Sequence, residues 1–127
     1  MNKVIKFVFI LCLLLFITGC GVEKTRVEVQ TIDKSLAVQK IEDGAILIDV
    51  RSASEYSASH IDGAINIDVN EILSLNGELG YNNRNISKNT VLILYCRSGN
   101  RSLQAANKLI ELGYTNVYDL GSMDNWS

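Results

Sequence analysis

The sequence predicts an α/β sandwich with a mainly parallel central sheet, and three observations carry that prediction. Two near-continuous branched apolar runs, residues 45–50 (A-I-L-I-D-V) and 91–95 (V-L-I-L-Y), have the composition of central strands covered on both faces by helices. The segment after the second run is the clearest helix in the chain. Leu103, Ala105, Ala106, Leu109, Ile110 and Leu112 share one broad face, Gln104, Asn107, Lys108 and Glu111 the other, and Gly113 supplies the stop.

The remaining elements follow in chain order. Val27-Glu28-Val29 alternates like a short edge strand. Asp33 can cap a helix carrying Leu36, Ala37, Val38 and Ile41, closed by Gly44. Between the two buried runs lie a polar helical stretch at 54–59, a short strand near 64–67 and a helix near 69–75. Residues 116–120 read as a last short strand, and 121–126 have room for one further turn.

Composition narrows the class of molecule. The chain of 127 residues suits one domain, and 47% hydrophobic against 20% charged residues exclude a disordered chain. Twelve Lys and Arg against 14 Asp and Glu leave no basic excess of the kind a nucleic-acid binder carries. Nine Gly with no Pro exclude a collagen-like chain.

The first twenty residues differ from the rest. Lys3 and Lys6 precede an unbroken apolar run of eleven residues, 7–17, too short for a helix spanning a hydrocarbon core about 30 Å thick but suited to a secretory signal. Ile17-Thr18-Gly19-Cys20 follows and resembles the lipobox of bacterial lipoproteins, in which cleavage before the cysteine leaves that residue to carry lipid. The expected organisation is therefore a signal peptide over 1–19, a lipid-bearing tether over 20–26 and one domain over 27–127. It places the domain outside the cytoplasm, held to a bacterial membrane through Cys20. Cys12 would leave with the signal and Cys20 would be consumed as a thioether, so Cys96 remains as the one free thiol.

Chemistry collects where the second buried strand enters the long helix. Cys96-Arg97-Ser98-Gly99-Asn100-Arg101-Ser102 leaves the carboxyl end of a strand and enters a helix, which is where open α/β sheets place ligand sites. The helix end presents unpaired N–H groups, Gly99 lets the backbone curl, and Arg97 and Arg101 add cations. A thiol so placed can fall from about 8.5 into the range of about 3.5 to 7.5.

C-R-S-G-N-R-S after an apolar strand resembles the active-site loop of the rhodanese family. Ile48-Asp49-Val50-Arg51, Glu55-Tyr56, and His60 through Ile67 match the family's first motif block in order and spacing, and 116–126 match its closing strand and turn. The resemblance implies a rhodanese-like three-layer sandwich. It further implies a sulfurtransferase in which Cys96 accepts a sulfane sulfur as a persulfide and passes it to a thiol or to cyanide. Arg97, Ser98, Gly99, Asn100 and Arg101 would form the substrate cradle, without metal or cofactor. A protein partner could serve as acceptor, and a non-catalytic module that binds a partner or senses sulfur is the opposing class. The spacing C-x4-R separates the chain from cysteine-dependent phosphatases and some arsenate reductases, which use C-x5-R.

Three further residues are assigned to support rather than chemistry. Asp49 and Arg51 are expected to form a half-buried ion pair that orients the loop, and His60, the only histidine, belongs to a structural turn in the resembled family. Two departures from the family pattern stand out: Asp62 where proline is common, and Gly121-Ser122 in place of the commoner pair of glycines.

Overall fold

Five parallel strands form the central sheet of this computed structural model, which describes residues 25–127. In chain order the elements are β1 (Gln30–Thr31), α1 (Lys34–Glu42), β2 (Ile46–Asp49), α2 (Ala53–Ala58), β3 (Ile65–Asn66) and α3 (Val69–Leu73). A hairpin of β4 (Gly80–Tyr81) and β5 (Arg84–Asn85) follows, then β6 (Leu92–Cys96), α4 (Asn100–Glu111), β7 (Val117–Ser122) and a 3₁₀ turn, Met123–Trp126. The sheet order β1-β7-β6-β2-β3 puts β6 in the middle. The predicted α/β sandwich is the fold observed. The expected signal peptide and Cys20 lie outside the described residues. Among the described residues no helix is long and apolar enough to cross a membrane.

Strand alternation sorts the core into two layers. From β2 and β6, Ile48, Leu92, Leu94 and Cys96 face α3 and α4, where they meet Ile72, Ala105, Ala106 and Leu109. Leu47, Ile93 and Tyr95 point the other way, toward Ala37 of α1 and toward Ile61 and Ala64. Every residue of β6 is buried, so the strand has no freedom to slip by one position without driving Cys96 to the wrong face.

Local sequence explains the helix ends. Asp33 caps α1 by accepting from the Leu36 N–H at 2.9 Å. Ser52 and Glu55 close a reciprocal capping box on α2: the Ser52 hydroxyl accepts from the Glu55 N–H at 3.3 Å and the Glu55 carboxylate accepts from the Ser52 N–H at 3.0 Å. Asp62 occupies its turn without difficulty, the turn being closed by the Ala64 N–H on the Ile61 carbonyl at 3.0 Å.

Three expectations need correction. The edge strand is not 27–29 but β1, because the buried anchor is Ile32, whose N–H reaches the Asp119 carbonyl at 3.1 Å and sets the register Gln30↔Tyr118. Leu103 is not on the buried face of α4. It is 46% exposed, and the buried stripe is Ser102, Ala105, Ala106 and Leu109. The Asp49–Arg51 pair is fully buried rather than half-buried, at 0% and 5% exposure.

That pair anchors the carboxyl end of the sheet. Asp49 accepts from the Arg51 N–H at 2.9 Å, from Arg51 Nη2 at 2.7 Å and from the Tyr95 hydroxyl at 2.8 Å. Arg51 Nη2 also donates to the Ser59 carbonyl at 2.6 Å, and the Tyr95 oxygen accepts from the Ile61 N–H at 3.0 Å. Burial pushes the Tyr95 phenol far above its ordinary range, so it stays protonated and available as a donor to Asp49. Asp49→Ala is expected to leave the Arg51 guanidinium buried without its partner, costing about 3 to 5 kcal/mol. Thermal unfolding should show the loss, with activity falling only as the fold does; loss of turnover at an unchanged Tm would overturn the structural assignment.

Candidate active site

The site begins where β6 ends. Cys96 is its last residue, and Gly99 is the N-cap of α4 at φ +99°, a left-handed conformation open to glycine and costly for other side chains. That cap position carries no side-chain acceptor, so the first amides of α4 lack the usual partner. The sulfur of Cys96 takes the role. Its Sγ accepts from the Gly99 N–H at 3.0 Å and from the Ser102 N–H, the third residue of the helix, at 3.4 Å. Ser102 Oγ lies 3.5 Å from Sγ and donates to the Gly99 carbonyl at 3.1 Å. A hydroxyl has one proton, so it bonds that carbonyl while the thiol is neutral and can turn to the sulfur once it is ionised.

The electrostatics follow from this arrangement. Burial pushes the Cys96 thiol up, but the Ser102 hydroxyl and the amides of Ser102, Gly99 and Ser98 together outweigh it and hold the thiol below its ordinary value. The charged form is thus less costly than in an ordinary cysteine, although the residue exposes no surface.

The expected cradle is brought together only in part. The Gly99 amide donates to the sulfur, and the second backbone hydrogen bond comes from Ser102 rather than from Asn100 or Arg101. Asn100 is exposed, and its Oδ1 accepts from Gln104 Nε2 at 3.3 Å. The Arg97 side chain is exposed and has no ion-pair partner among the described residues. Arg101 is held bidentate by Glu55, Nη1 to Oε2 at 2.8 Å and Nη2 to Oε1 at 3.1 Å, though it remains within Coulombic reach of Cys96. Pairing with Arg101 and the Ser52 N–H lowers the Glu55 carboxyl to about 2.

Ser102 and Glu55 are therefore site residues that sequence reasoning missed. Both left a trace: Ser102 falls on the heptad stripe 102, 105, 106, 109, and Glu55 completes the S-x-x-E signature with Ser52. His60 lies on the surface, its Nδ1 2.8 Å from the Tyr56 carbonyl and its ring stacked on that of Tyr56 at 3.8 Å, as a turn residue would be. The Tyr56 hydroxyl donates to the Ala64 carbonyl at 2.7 Å. Among the described residues no group of three or more metal-ligating side chains converges.

With a buried cysteine sulfur at the carboxyl edge of a parallel sheet, met by the first amides of a helix, the chain matches the rhodanese-like domain family over residues 33–127, and it belongs to that family. It is 31% identical over 103 residues to the adenylyltransferase and sulfurtransferase UBA4 of Candida glabrata, covering 77% of this chain but only 24% of that protein. The chain spans about a quarter or less of the length of the first relatives it matches. The thiosulfate sulfurtransferase GlpE of Pseudomonas entomophila is of similar size: 29% identity over 100 residues covers 78% of this chain and 85% of that one. Among solved structures the human single-domain sulfurtransferase TSTD1 superposes with a TM-score of 0.62 at 27% identity, covering 77% of this chain and 93% of that one.

The hydroxyl of Ser102 offers a direct check on how the thiolate is held. Ser102→Ala is expected to raise the pH at which Cys96 ionises, through loss of one donor to the charged form. Ultraviolet thiolate absorbance followed against pH should show a titration displaced upward; an unchanged titration would remove Ser102 from the site.

Proposed function

We propose that the chain is a sulfurtransferase that carries a sulfane sulfur on Cys96. The single observation that carries this reading is the buried sulfur receiving two backbone N–H groups at the start of α4, a surrounding built for a sulfur anion. With thiosulfate as donor, the Cys96 thiolate attacks the outer sulfur, a new S–S bond forms, and the donor S–S bond breaks with its electron pair leaving on sulfite. The resulting persulfide anion occupies the same field of N–H donors. An acceptor nucleophile, cyanide or a thiolate, then takes the outer sulfur and returns Cys96 as thiolate. Every step conserves charge and needs no cofactor.

Entry is over the exposed Arg97–Ser98 rim, because Cys96 itself is closed off. Arg97 there supplies the cation for an anionic donor. Arg101 does not serve as a free oxyanion clamp, being occupied bidentate by Glu55, and this favours sulfur transfer over phosphoryl or arsenate chemistry. A sensor would stop after one modification of Cys96, whereas a transferase releases many products per chain. Cys96→Ser is expected to abolish thiosulfate-to-cyanide transfer, since a hydroxyl stays protonated at neutral pH and forms no persulfide. Undiminished transfer in that variant, or phosphate release exceeding sulfur transfer in the parent, would sink the reading.

For location, we propose that the chain is exported and held to a membrane by lipid on Cys20, the basis being Lys3, Lys6, the apolar run 7–17 and Thr18-Gly19-Cys20. The acyl chains supply about 0.8 kcal/mol per buried CH₂ and so act as the anchor. Cys20→Ala should block processing and alter membrane association in cell fractionation. A processed chain with Cys20 unmodified in wild-type membranes would overturn this.

A further inference from the structure

Ser122 closes β7 beside the catalytic cysteine, and it gets there through a bulge. The β6–β7 register runs Leu94↔Asp119 and then Tyr95↔Gly121, skipping Leu120, so that Ser122 rather than Gly121 lies opposite Cys96. The irregularity is internally satisfied: the Gly121 N–H donates to Asp119 Oδ1 at 2.8 Å, and Asn125 Nδ2 donates to the Leu120 carbonyl at 2.8 Å. From this position the Ser122 hydroxyl donates to the Arg97 carbonyl at 2.6 Å and accepts from the Asp124 N–H at 3.1 Å.

The Arg97 carbonyl shares a peptide plane with the Ser98 N–H, and in a trans peptide the two point in opposite directions. All peptide bonds in the described residues are trans. A carbonyl tied to β7 therefore turns the Ser98 N–H away from β7, into the loop that carries Cys96. We propose that Ser122 is a positioning residue for sulfur transfer, fixing the Arg97–Ser98 peptide so that the Ser98 amide is aimed at Cys96. In support, the Ser98 backbone is among the groups that lower the Cys96 thiol.

The proposal rests on Cys96 being the reacting thiol, and its test reads that thiol directly. Rates of alkylation by iodoacetamide are followed against pH for the parent chain, Ser122→Ala and Ser122→Thr, with the Cys96 peptide scored by mass spectrometry. The ionisable groups on the elements packed around the loop are Arg97 and Arg101, Glu55, the Asp49–Arg51 pair, Asp119 and Asp124. None is altered by these substitutions. Loss of the hydroxyl in Ser122→Ala is expected to raise the alkylation midpoint by about 0.5 to 1 unit, as one weakened N–H donor should. kcat/KM for thiosulfate at neutral pH should fall with it, and Ser122→Thr should restore both. Ser122→Gly reads the same quantity should the alanine variant fold poorly. A midpoint that stays put while Tm falls would make Ser122 a purely structural residue and overturn the proposal. A shifted midpoint in a chain whose parent transfers no sulfur would support the brace and overturn the sulfurtransferase reading instead.

Discussion

A carboxylate with no exposed surface sits at the end of β2, and the geometry of the catalytic loop follows from how it is satisfied. Burying the Asp49 carboxyl group in the sheet requires that its oxygens be met by donors from several directions. Arg51 supplies backbone and guanidinium donors, and Tyr95 supplies its hydroxyl. Tyr95 is the peptide neighbour of Cys96, and alternation along β6 sends one to the α1 side and the other to the α4 side. Fixing the phenol on Asp49 thus fixes the rotation of the strand at its last residue. The Cys96 sulfur inherits its direction from an ion pair it never touches.

At the other end of that peptide the constraint is a deficit rather than a contact. Gly99 gives the chain its left-handed turn into α4 but brings no side chain to cap the helix. Any residue with a capping oxygen would compete with the sulfur for the same N–H groups, and most would resist φ +99°. The glycine therefore does two things: it permits the turn and leaves the helix start to Cys96. A Cβ at that position would meet Gly121 Cα at 3.5 Å, ordinary contact, so the restriction is conformational rather than steric.

The parts of the fold dictated by burial were legible in the sequence. β2 and β6 stand out as near-continuous apolar runs because both of their faces are covered, and α4 by its two-sided pattern and Gly113. The hairpin β4–β5 was not legible. Its strands are two residues each, all exposed, and the turn is carried by Asn82 and Asn83 at φ +50° and +61°, without flanking alternation to announce it. The site was half legible. Cys96 and the glycine turn were visible because the motif is local, whereas Ser102 was hidden because a hydroxyl on a helix stripe does not register as core. The role of Glu55 needed the fold, since it reaches Arg101 across 46 residues of sequence.

Charge at the rim bears on which donors suit the site. Two arginines flank the loop in sequence, but Glu55 neutralises Arg101 and ties it to the capped start of α2, which leaves Arg97 as the cation facing water. A site for a tetrahedral oxyanion would direct a planar, bidentate guanidinium at the ligand. Here that fork is turned onto a carboxylate of the protein, and the negative charge that develops on sulfur is met by N–H dipoles instead. Dipoles fixed by helix and turn stabilise a single atom at short range without drawing a multiply charged group into the loop. The ion pair stands partly in solvent, at 35% and 32% side-chain exposure, so it acts by orientation more than by strength. It holds the first turn of α4 against α2, and with it the Ser102 amide and hydroxyl that complete the shell around the sulfur.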